Sequence, residues 1–74
     1  MKATSMAMTQ TDVNAARKTM MQARQAAYEA LYAAIAAGDS AAKKTAKNSI
    51  QDTLDEDDAL NNIEALIIVI AAMP

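Results

Sequence analysis

Apolar positions along this chain recur at helical spacing, and they thicken towards the C-terminal end. Leu60, Ile63, Ile67 and Ile70 are three or four residues apart, with Leu66 and Met73 widening the stripe. Glu64, Asn61 and Asn62 stay off its centre. Ile68 and Val69 do not belong to it: on a helical wheel they point sideways or outward. From Ala65 to Met73 nine residues in succession are apolar. That run is far short of the ~20 residues that cross a bilayer, so it predicts no transmembrane segment. The competing reading is a buried strand over Leu66–Ile70, which are rich in β-branched residues, but no second segment looks like its pairing partner. The pattern therefore predicts a helix over 55–73 that is amphipathic at its start and apolar nearly all round at its end. A helix of that kind needs a second covering surface.

Upstream, a first helix is predicted over about 12–37, with Thr11 or Asp12 as its cap. It stops at Gly38, the one glycine of the chain, where a left-handed cap belongs. One sector of its wheel carries Val13, Met20, Met21, Tyr28, Leu31, Tyr32 and Ile35. The neighbouring sector is nearly pure alanine: Ala16, Ala23, Ala27, Ala30 and Ala34. Tyr28 and Tyr32 share a face at i, i+4. Arg17 and Arg24 fall among the large apolar residues, where a charge either snorkels to water or finds a partner. Residues 1–11 show no convincing period and read as a flexible lead.

Gly38-Asp39-Ser40 is a stop-and-restart signal. A second helix is predicted over about 41–53, with Ala42, Ala46, Ile50 and Leu54 on one ridge and Lys43, Lys44 and Lys47 along its edge. Thr53-Leu54-Asp55-Glu56 resembles a capping box followed by acidic first-turn residues, which places the start of a third helix near Leu54 or Asp55. The expected architecture is therefore all-α: one domain over 12–74, a small antiparallel three-helix up-down-up arrangement. The alternative is a long two-helix hairpin with a single helix from Ser40 to Ala72, since no Gly or Pro interrupts that stretch.

Charge adds an asymmetry. Residues 1–51 carry seven basic and three acidic side chains, residues 52–74 six acidic and none basic. In an up-down-up bundle this sets Asp55, Glu56, Asp57 and Asp58 near Arg17 and Lys18, and Glu64 near Arg24. Exposed pairs of this kind contribute only ~0–1 kcal/mol, so they orient more than they stabilise.

Composition narrows the chemistry. With no Cys there is no disulfide, thiolate ligand or thiol nucleophile, and with no His the commonest metal ligand and general base is missing. The acidic run Asp55–Asp58 fails as a calcium loop: counted from Asp55, the sixth position is Leu60 instead of Gly and the twelfth is Leu66 instead of Glu. One glycine cannot build a phosphate-cradling loop. No motif of a known family is visible. We expect no enzyme, no metal and no cofactor. The expected function is a small non-enzymatic module for protein–protein interaction or assembly, of the subunit, co-chaperone or inhibitor type. It would be a homo-oligomer or bind a larger protein. Its expected interface is Tyr28, Leu31, Tyr32, Ile35, Ile63, Ile67, Ile68, Val69, Ile70 and Met73.

Two alternatives belong to other classes. One is a protein associating with a membrane interface through residues 65–73, although the acidic residues beside that run oppose anionic lipid. The other is a weak nucleic-acid binder through Lys43, Lys44 and Lys47, which lack interleaved aromatics in a chain of net charge −2; no nucleic acid is the expected outcome. No secretory h-region is visible in the lead, so a cytoplasmic location is the default expectation.

Overall fold

The computed structural model describes residues 8–73, which form two helices joined by a tight turn. Helix α1 spans Gln10–Ala37 and α2 spans Ser40–Ala72. The structure is thus the all-helical two-helix hairpin, and the three-helix arrangement is corrected. Thr53, expected as a cap, sits inside α2. Its hydroxyl donates to the Ile50 carbonyl at 2.7 Å, and its side chain is buried against α1. A cap-like sequence marks a helix start only where the chain also needs to turn. Here no Gly or Pro breaks the pattern, and continuing the helix keeps Thr53 and Leu60 on one buried line.

The start of α1 is also earlier than expected. Thr9, not Thr11 or Asp12, is the cap. Its Oγ1 accepts from the Asp12 amide at 3.2 Å, while its own amide donates to Asp12 Oδ2 at 2.9 Å. This reciprocal pair satisfies two donors and draws residues 10 and 11, assigned to the lead, into the helix. The rest of that lead, residues 1–7, lies outside the described residues.

The turn uses the signal that the sequence carries. Gly38 adopts φ +67°, a conformation that costs any residue with a Cβ. The Gly38 amide donates to the Ile35 carbonyl and the Asp39 amide to the Ala34 carbonyl, closing the end of α1. Asp39 then caps α2, its Oδ1 accepting from the Ala42 amide at 3.0 Å.

The helices meet along a seam whose buried residues recur every seven positions: Val13, Met20, Ala27 and Ala34 on α1, and Ala46, Thr53 and Leu60 on α2. Half-buried residues alternate with them, notably Arg17, Arg24 and Leu31 on α1, and Ile50, Asp57, Glu64 and Ile67 on α2. Spacings of three and four in strict succession are those of an antiparallel coiled coil. The seam does not run through the centre of the large-residue sector of α1. It runs along the border between that sector and the alanines, because Ala27 and Ala34 let the two backbones approach. Met21, Tyr28 and Ile35, each one position beyond a seam residue, are left on the flank.

Candidate association surfaces

Because the hairpin is one layer of two helices, each helix buries a single stripe and leaves the rest to solvent. The molecule measures 57 × 26 × 15 Å along its principal axes. It therefore presents two broad faces, one on either side of the seam.

In an antiparallel pair, the positions just after the buried seam residues of both helices lie on the same side. The first face thus collects Met21, Tyr28 and Ile35 of α1 with Leu54 of α2, and Tyr32 continues it outward. All five are exposed, Tyr32 to 70%. Sequence reasoning had Tyr28, Tyr32 and Ile35 as contact residues but did not bring Leu54 to them. Counting back from the Gly38 turn would have found it. Leu31, expected in the same interface, is half-buried at the seam.

The opposite face is shallow. Ala23, Ala26 and Ala30 of α1, with Ser49, Asp52 and Glu56 of α2, line an open trough above Ala27 and Thr53. Its only charged lining groups are the two acids.

The tail of α2 forms a third apolar surface. The hydrogen bond from Arg24 to Thr53 fixes the register, and by that count Gln10 lies opposite Ile67. Beyond Ile67, α2 runs past the first turn of α1. Leu66, Ile68, Val69, Ile70 and Met73 are each more than half exposed, while Ile63 and Ile67 are half-buried. For the residues after Ile67 the cause is the length difference between the helices, 28 against 33 residues, which all falls at the open end of the hairpin.

Polar groups cross the seam where apolar ones would be expected. Arg17 Nη2 donates to Asn61 Oδ1 at 3.0 Å and to Glu64 Oε1 at 3.3 Å, and Gln10 Nε2 donates to Glu64 Oε2 at 2.7 Å. The Arg17 guanidinium, and then the Gln10 amide, hold the Glu64 carboxyl below the usual glutamate range. One level nearer the turn, Arg24 Nε donates to Thr53 Oγ1 at 3.2 Å, Nη2 donates to the Thr53 carbonyl at 3.3 Å, and Asp57 lies 3.9 Å away. The expected pairings are therefore exchanged. Glu64 pairs with Arg17 and the acidic cluster with Arg24, because α2 reaches both arginines while running antiparallel to α1. Of the acidic run, Asp57 is the member that reaches Arg24. Asp55 instead accepts from Gln51 of its own helix. Sequence reasoning missed Gln10 and Asn61. Gln10 stands seven positions before the half-buried Arg17, which is the signal that finds it, and Asn61 directly follows the seam residue Leu60.

Lys43, Lys44 and Lys47 surround a shallow hollow near the closed end, with Ser40 and Asn48. Among the described residues, no group of three or more carboxylates is placed to hold a metal ion, and no helix is long and apolar enough to cross a membrane. No protein-family model, curated protein or solved structure matches this chain.

Proposed function

We propose that this chain is a non-enzymatic association module, a helical hairpin that works by burying its tail and its tyrosine-bearing face against another protein chain. The supporting observation is a mismatch. Eleven large hydrophobic side chains are exposed among the described residues, whereas the buried seam holds only three large ones: Val13, Met20 and Leu60. Scattered exposed apolar residues are ordinary. Contiguous ones, as on the tail and the first face, mark docking surfaces. A subunit of an assembly, a co-chaperone and an inhibitor would each use such surfaces in the same physical way.

The test is the solution mass by size-exclusion chromatography with light scattering, for the full chain and for a chain ending at Glu64. The full chain is expected to run as an oligomer at micromolar concentration and the shortened chain to shift towards lower mass. A full chain that stays monomeric, and whose melting temperature rises when Ile68 and Val69 are replaced by Asp, would refute the proposal, since those side chains would then have no covering role.

A further inference from the structure

The first face carries a charge pattern that selects its occupant. Its outer stripe on α1 reads Lys18, Met21, Gln25, Tyr28 and Tyr32, and on α2 Lys44, Lys47, Gln51, Leu54 and Asp58, both at alternating steps of three and four. The register set by Arg24 and Thr53 places Gln25 and Gln51 at the same level of the hairpin. About that level each stripe is complementary to its own reverse. Lys44 and Asp58 stand seven positions either side of Gln51, and Lys47 four positions before it, with Asp55, at the border of the stripe, four positions after. On α1, Lys18 and Tyr32 stand seven positions either side of Gln25, and Met21 and Tyr28 flank it more closely.

We infer that a second copy of this chain docks on the first face, related by a two-fold axis that lies in that face, crosses the helices and passes through Gln25 and Gln51. This deepens the association reading and rests on it. The axis reverses the second hairpin, so α1 lies antiparallel on α1 of the other copy, and α2 on α2. Lys44 then meets Asp58 of the second copy, Lys47 meets Asp55, Lys18 comes over the Tyr32 ring, and Met21 packs on Tyr28.

Three observations favour this occupant. Lys18, Lys44, Lys47, Asp55 and Asp58 have no ion-pair partner in the hairpin, where the pairs among the described residues are Arg17–Glu64 and Arg24–Asp57. The trough on the opposite face carries Asp52 and Glu56 near the same level, so doubling it about this axis sets acid against acid. Overlap of α2 with its counterpart from Ser40 to about Asn62 is ~35 Å long. Over two helix widths it buries ~700 Å² on each copy, near the ~800 Å² of a stable dimer. The same-way stack, Gln25 over Gln51 of the second copy, is poorer. It matches Lys18 with Asp58 but leaves Lys44 without a carboxylate. In the antiparallel dimer the two α2 tails emerge at opposite ends, leaving each free for a further chain.

The test uses the full chain, which has no cysteine of its own. Gln51→Cys and Gln25→Cys are each expected to form a covalent dimer under mild oxidation, while Ser49→Cys, on the trough face, is not. Lys44→Asp is expected to weaken the dimer about tenfold by light scattering across concentration, and adding Asp58→Lys to restore it. Crossed dimers from a mixture of Gln25→Cys and Gln51→Cys chains, with neither cross-linking alone, would overturn this arrangement in favour of the same-way stack. Oligomers that cross-link at neither position would overturn it while leaving the association reading standing. A monomer at all concentrations would remove both the dimer and the self-associating form of that reading.

Discussion

Replacing Arg24 by leucine tests what the polar layers of the seam are for. Arg24 makes two hydrogen bonds to Thr53 and a 3.9 Å ion pair to Asp57, with side chains 18% and 35% exposed. A pair that long and that wet contributes ~0–1 kcal/mol. The hydrogen bonds contribute ~1–2 kcal/mol, and removing them strands no buried donor, because the Thr53 hydroxyl keeps its bond to the Ile50 carbonyl. A leucine at the same seam position recovers ~1.5–3 kcal/mol by burial and has a helix propensity close to that of arginine. Arg24→Leu should therefore match or slightly exceed the parent in stability. Arg24→Ala, which loses both the bonds and the packing of the aliphatic stem, should fall ~2 kcal/mol below it. At ~4–8 °C per kcal/mol for a chain of this size, the two variants should melt ~10 °C apart. The assay is far-UV circular dichroism during heating, at neutral pH and one fixed protein concentration. If the leucine variant melts as low as the alanine variant, the charged contacts hold the hairpin together and the reasoning fails.

Gly38→Ala should lower stability by ~1 kcal/mol: a left-handed alanine costs ~1–2 kcal/mol, offset by ~0.4–1 kcal/mol of lost unfolded-state freedom. No atom lies within 4 Å of the added Cβ, so the cost is conformational only, and Gly38→Asn should be milder in the same melt. Glu64 has its carboxyl held below the usual range, so its bonds to Arg17 and Gln10 stabilise the fold above the unfolded glutamate pKa of ~4.3. That stability is lost as pH falls through the folded value. The melting temperatures of the parent and Glu64→Gln should differ at neutral pH and converge in acid; a gap that persists in acid would mean the substitution acts by other means. Finally, the parent melting temperature should rise with protein concentration, as it must when association is coupled to folding, whereas a concentration-independent melt would show a hairpin that stands alone.

Much of the hairpin is legible in the residues that punctuate it. Gly38 can only end a helix here, and Asp39 restarts one at once. The uninterrupted stretch after it permits α2 to run to Ala72, and the capping pattern at Thr53 hides this, because capping chemistry is local while helix continuation is decided by packing. The seam was harder to see, for a different reason. Its buried residues include three alanines and a threonine beside Val13, Met20 and Leu60, and its half-buried ones include Arg17, Arg24, Asp57 and Glu64, so hydrophobicity marks it poorly. The seven-residue spacing is what marks it. Of the large side chains in one sector of α1, Val13 and Met20 are buried in the seam, while Met21, Tyr28, Tyr32 and Ile35 are left outside.

That inversion joins the fold to the proposed function. A seam of alanines and paired charges, with only Val13, Met20 and Leu60 as large buried residues, brings two helices together in one register while burying little apolar area, so it specifies the hairpin more than it stabilises it. Two helices with no cysteine to form a disulfide have a thin reserve of stability at this length. The residues able to supply more, the tyrosine face and the tail beyond Ile67, can do so only against another surface. A chain built to stand alone would place Leu or Ile where Arg17, Arg24, Asp57 and Glu64 now sit, and keep its charges outside. This one does the reverse: it keeps charges in the seam, and its largest apolar side chains are held outward. The cost of ordering those side chains is then met mostly by the hairpin rather than by the docking event, which is the condition under which an exposed apolar face binds tightly for its area.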